Sequence, residues 1–179
     1  MTTNNSIKSG SSGFSLIELI VTMAIMSIIL GIATLNFRSW VVKNNKEAQI
    51  REIFVDLNEA RTNAFTQKRP YWIVFQPNSY VMKSYTSATA PVPTNATAVT
   101  SGTTIKTKNL TYGLTNAGAS IVNTPVIFDT TGITFNWFTI FVNPYNTDPS
   151  KEPATANCIV ISTARINMGK INGTACEFK

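Results

Sequence analysis

The 179-residue chain is sized for one compact domain plus an appended element, and its composition, 44% hydrophobic and 13% charged, is low in charge for an ordinary soluble domain. The net charge of +6 is thinly spread, with no dense basic stripe, so charge alone does not mark a nucleic-acid binder. The lack of any histidine removes the commonest general base near neutral pH and the commonest metal ligand.

The first element is apolar. From Leu19 to Phe37 the sequence LIVTMAIMSIILGIATLNF carries no charge, and about 20 such residues in a helix span the hydrocarbon core of a bilayer. A secretory signal peptide would be shorter and followed by a small-x-small cleavage site. A plain single-pass anchor leaves Glu18 unexplained, because a carboxylate at the edge of an apolar run is expensive and usually has a dedicated partner.

The residues around Glu18 are specific. Gly13-Phe14-Ser15-Leu16-Ile17-Glu18, directly before the apolar run, resembles the prepilin (class III) signal of type IV pilin-like proteins. The resemblance implies cleavage between Gly13 and Phe14 by prepilin peptidase, N-methylation of Phe14, and retention of the apolar run. Glu18 becomes the fifth residue of the mature chain. In a filament the freed amine of a neighbouring Phe14 would neutralise Glu18, a pairing that enforces register more than it adds net stability. Ser15 stands where many relatives have threonine. No proline interrupts residues 14–69, so Gly31 is the weak point of the run. Arg38, Lys43 and Lys46 follow the run, whereas the leader holds only Lys8. The positive-inside rule would put the carboxyl side in the cytoplasm; the leader signature and the cysteine pair point to export and carry more information.

Helical periodicity continues past the run. Ile50, Ile53, Phe54, Leu57, Ala60 and Ala64 form one apolar stripe, and Glu47 and Arg51 are placed for an i,i+4 pair. Pro70 ends a helix predicted from about Phe14 to Lys68. Predicted strands follow at Tyr71–Phe75 and Tyr80–Tyr85, joined by Gln-Pro-Asn-Ser as a hairpin, then Ile105–Tyr112, Val126–Asp129, Ile133–Phe135, Trp137–Val142, Cys158–Ser162 and Arg165–Asn167. Thr86–Thr104 and Asn143–Glu152 read as loops without a folded element. Alternating aromatics such as Trp72, Trp137 and Phe138 read as core. Cys158 and Cys176 match no zinc or redox spacing, and in an exported domain they would form one disulfide.

Three further stretches are similar to the GspH/FimT/FimU family, minor pilins and the H pseudopilin of type II secretion. Leu57-Asn58-Glu59-Ala60-Arg61-Thr62-Asn63-Ala64 looks like the family's helix end. Val126–Gly132 and Ile159–Ile166 resemble its later strands. Physically, Arg61 and Ala64 read as an ordinary helix face. Some members bind DNA through a basic motif near the carboxyl end. Here Ala164-Arg165-Ile166-Asn167 keeps one arginine, with Lys170 and Lys179 nearby, so Arg165 and Lys170 are the candidate DNA contacts and binding is expected to be weak.

The expected fold is α+β: a long amino-terminal helix packed on an antiparallel sheet and closed by the Cys158–Cys176 disulfide. The expected organisation is a leader at 1–13, a membrane and filament-core helix at 14–41, and an exported head at 42–179. Expected partners are other pilins, the prepilin peptidase and the inner membrane, with the head in the periplasm and then in a filament. No cofactor or metal is expected. The chain offers no nucleophile elbow, Gly-rich phosphate loop or paired carboxylates, so no enzymatic activity is expected either.

Overall fold

The computed structural model describes residues 13–87, 91–145 and 154–178; the side chains of 33–36 and 38 are not described. The leader before Gly13 with Lys8, the Arg38 side chain, Lys179, residues 146–153 of the Asn143–Glu152 loop and residues 88–90 of the Thr86–Thr104 loop therefore lie outside the described residues. The chain divides into two units, 1–39 and 40–179.

Helix α1 runs Leu16–Gln67 and contributes to both units. It stops where Lys68 turns into the left-handed region at φ 52°, before Pro70, and the Lys68 ammonium lies over the Phe65 ring at 4.1 Å. Within the first unit every described side chain from Gly13 to Ile32 is exposed.

The second unit is α+β, with the helix packed on two antiparallel sheets. One sheet has the order β3-β2-β1-β6, built from Thr103–Asn109, Ser79–Ser84, Tyr71–Phe75 and Pro125–Phe128. The other has the order β10-β9-β8-β7-β4-β5, built from Ala175–Glu177, Ile166–Asn172, Cys158–Ile161, Phe138–Asn143, Gly113–Asn116 and Ala119–Ser120. The predicted hairpin forms, with Tyr71 opposite Ser84 and Phe75 opposite Tyr80. The helix stripe meets both sheets: Ile50, Ile53, Leu57, Ala60 and Ala64 are fully buried against Ile73, Phe75, Met82, Val126, Phe128, Ile140 and Ile159. The alanines leave room for close approach of helix to sheet, and that burial is what holds this half of α1 helical.

Three expectations need correction. Thr86–Thr104 is not wholly loop: Asn95–Thr100 forms a short helix, α2, capped by Thr94. Its Ala98 carbonyl accepts the Trp72 indole N–H at 2.7 Å, so α2 covers Trp72 on the outer side of β1. Ile133–Phe135 forms no strand. Asp129 Oδ1 instead takes up the amides of Thr131 and Ile133, leaving one bridge between Phe128 and Thr134. Trp137 is not core but 76% exposed, because it precedes β7 instead of alternating within it. Glu47 places its carboxylate on the amide and hydroxyl of Thr155, both at 2.7 Å. Burial works against that charge, but the two Thr155 bonds, with Lys43 and Arg51 nearby, hold its pKa below the usual range.

Candidate functional site

The candidate processing and assembly residues cluster at the start of α1. Gly13 has nothing within 4 Å of where a side chain would begin. Phe14 is 80% exposed. Ser15 directly precedes the helix, and its carbonyl accepts the first helical bond, from the Leu19 amide at 3.2 Å. Glu18 falls in the first turn, the end of a helix where the aligned peptide dipoles favour a negative charge.

Around and beyond Glu18 the helix presents apolar side chains on every side, from Leu16 to Ile32. Its two hydroxyls are turned inward on the backbone. Thr22 donates to the Leu19 carbonyl at 2.9 Å and Ser27 to the Met23 carbonyl at 2.8 Å, so neither needs water. This detail was legible in the spacing but escaped sequence reasoning. Among the described residues no helix is long and apolar enough to cross a membrane. The uncharged run Leu19–Phe37 passes through 33–36, outside the described side chains, so the described stretch is shorter than the run.

In the second unit the structure joins the two family-like motifs. Arg61 Nε donates to the Gly132 carbonyl at 3.0 Å. Gly132 has φ +75°, and a Cβ there would sit 3.3 Å from the Arg61 carbonyl, so both the backbone turn and the approach to the helix favour glycine. Arg61 is therefore a docking residue between helix and loop, more than an ordinary helix face.

The disulfide joins Cys158 and Cys176. It ties β10 to β8 across the intervening β9, where Gly169 is required: a Cβ there would lie 2.3 Å from the Glu177 carbonyl oxygen. Phe141 and Ile171 pack around the bridge.

The candidate DNA contacts lie on the turn after β8 and within β9. Arg165 is exposed on the turn after β8, where its carbonyl accepts from the Ser162 amide at 2.9 Å. Lys170 stands opposite Glu177 in register. The other lysines that could extend a patch are engaged elsewhere. Lys106 bonds Asp56 at 2.7 Å and Glu59 at 2.8 Å, and Lys108 bonds Glu52 at 2.6 Å. Lys83 donates to the Val99 and Ser101 carbonyls at the end of α2. Asp56 is buried and also accepts from the Tyr80 hydroxyl at 2.7 Å. Burial, and then that bond to a carboxylate, push the Tyr80 pKa up; the bonds to Asp56 and then Glu59 raise that of Lys106. Acids at 52, 56 and 59 on one helix face and lysines at 106 and 108 on one strand face were signals in the sequence, but their partnership is a tertiary fact. Among the described residues no group of His, Cys, Asp and Glu is placed to hold a metal ion.

Residues 8–34 match the family model described as the prokaryotic N-terminal methylation motif. No curated protein and no solved structure matches the chain. The match spans Gly13, Phe14 and Glu18 and the exposed apolar start of α1. The matched segment resembles a type IV pilin-like prepilin leader, and the helix it opens runs into an α+β unit of antiparallel sheets.

Proposed function

We propose that the chain is a minor pilin of the GspH/FimT/FimU kind, a structural subunit that primes or caps assembly of type IV pili. On this reading prepilin peptidase cuts between Gly13 and Phe14 and methylates the new terminus. Residues 14–41 sit in the inner membrane and later in the filament core, and residues 42–179 form the exported head. The observation that carries the reading is the methylation motif over residues 8–34, which coincides with a helix that exposes its apolar side chains on every side. Such a surface needs lipid or sister helices around it. Glu18, in the first turn of that helix, is the carboxylate that a neighbouring Phe14 amine would neutralise.

The H-type minor pseudopilin of a type II secretion system shares this physics. Deletion of the gene separates the two: loss of twitching with normal exoprotein release supports the pilus reading, and the reverse phenotype replaces it. A role in DNA uptake draws less support, since Lys83, Lys106 and Lys108 are engaged within the fold and Lys170 faces Glu177. Tight binding would require several free cations converging on one surface.

A further inference from the structure

An exposed indole sits beside a shallow cleft on the outer face of the six-stranded sheet. Trp137 is 76% exposed and Phe135 70%. Large aromatic side chains left in water forgo the gain of burial, so their presentation points to something that covers them. The segment carrying them is held on both sides. The Thr134 amide donates to the Thr163 carbonyl at 3.1 Å, the Thr134 hydroxyl accepts from the Asn136 amide at 3.2 Å, and the Asn136 side chain donates to Asn95 at 2.7 Å. The indole is thus offered from a preorganised loop, which lowers the entropic cost of binding.

The cleft has a volume of about 280 Å³, and its walls are Trp137, Thr139, Val160, Ser162 and Thr163, with Phe138 and Ile161 beneath. Thr139 and Val160 are partners in register, on the face opposite the core residues Ile140, Ile159 and Ile161. Thr139 is half-buried and Thr163 exposed at the cleft, and among the described residues no charged side chain lines it.

We propose that this cleft is a binding site for a neutral carbohydrate, taking one or two sugar rings of a glycan chain. A pyranose ring offers an apolar C–H face to the indole and a rim of hydroxyls to the threonines and Ser162, matching an aromatic wall flanked by uncharged donors and acceptors. A polyanion would need cations in the walls, and the volume is too small for an amphipathic helix. The proposal is independent of the filament reading.

The test uses the full chain in micelles of a zwitterionic, sugar-free detergent, titrated with soluble hexamers of N-acetylglucosamine and of glucose. Indole emission is followed, with ligand-observed NMR as a second readout. The expected result is saturable binding of at least one hexamer with Kd of roughly 0.1–5 mM. Trp137→Ala should weaken it at least about tenfold, while Trp137→Phe, which keeps an aromatic face, retains part of it. Melting should be unchanged in both variants, since the side chain is exposed. Arg165→Ala should leave binding within about twofold, because no charge lines the cleft. The proposal is overturned if neither hexamer binds, if binding survives Trp137→Ala, or if only a sulfated polysaccharide binds and added salt abolishes it.

Discussion

Helix α1 contains two sequences with opposite relations to their surroundings. From Leu16 to Ile32 its apolar side chains are exposed on all sides, and the Thr22 and Ser27 hydroxyls are satisfied by the helix itself. Farther along, Ile50, Ile53, Leu57, Ala60 and Ala64 recur on one face and are fully buried, while Glu52, Asp56 and Glu59 reach lysines on β3. The second half is stabilised by its own chain. The first is written for a solvent or partner that the chain does not supply, and the two halves should respond to substitution through different observables.

The largest difference is expected at Glu18. Glu18→Leu should leave membrane association intact, since the segment only becomes more apolar, but lower incorporation into filaments by roughly tenfold or more, as expected when one member of a desolvated charge pair is removed. Wild-type incorporation would remove the pairing role. Next come matched isoleucines. Ile53→Ala, at a fully buried site, should destabilise the second unit by about 2–5 kcal/mol in denaturant unfolding. Ile25→Ala, at a site 53% exposed, should change that same transition by less than about 0.5 kcal/mol. Equal losses would erase the distinction between the halves.

A third expectation concerns the Cys158–Cys176 bridge, whose sequence separation of 18 stabilises by about 3 kcal/mol in the chain-entropy model. Reduction should lower the melting temperature of the second unit only, and two free thiols in protein isolated without reductant would contradict the bridge. The smallest effect lies at Asp129. Burial alone would raise its pKa, but the Thr131 hydroxyl and the amides of Ile133, Thr131 and Gly132 outweigh burial and hold it below 3.8. That stabilisation is present above the ordinary carboxylate value and is lost as pH falls through the depressed one. Asp129→Asn should therefore cost about 1 kcal/mol near neutrality, with wild type and variant converging in acid. A gap that stays constant from pH 6 to pH 2 would rule this out.

What the sequence revealed follows the same division. The long helix, its buried stripe and most long strands were legible because apolar spacing reports directly on burial. The helix α2 was not, because Asn95–Thr100 is uncharged and only six residues long, and its Ala98 carbonyl meets the Trp72 indole only in the fold. Gly113–Asn116, Ala119–Ser120 and Ala175–Glu177 are strands of two to four residues whose side chains, Leu114 apart, are polar or small, and pairing creates them more than propensity does. Trp137 misled because alternation cannot say where a strand begins. Arg61 was noticed as a motif residue, but its bond to Gly132 joins positions that only the fold brings together. Gly13, Phe14 and Glu18 stood out because a rare residue order coincides with a membrane-length run, a signal that owes nothing to tertiary contacts.

The central claim, that the first half of α1 is processed and kept for assembly, is tested most directly by the intact mass of membrane-extracted protein from a host with prepilin peptidase. The account predicts a chain beginning at Phe14 and heavier by one methyl group, and a Gly13→Val variant that retains residues 1–13 because a side chain at that open position obstructs the peptidase. Wild-type protein that still carries residues 1–13 in that host would contradict it.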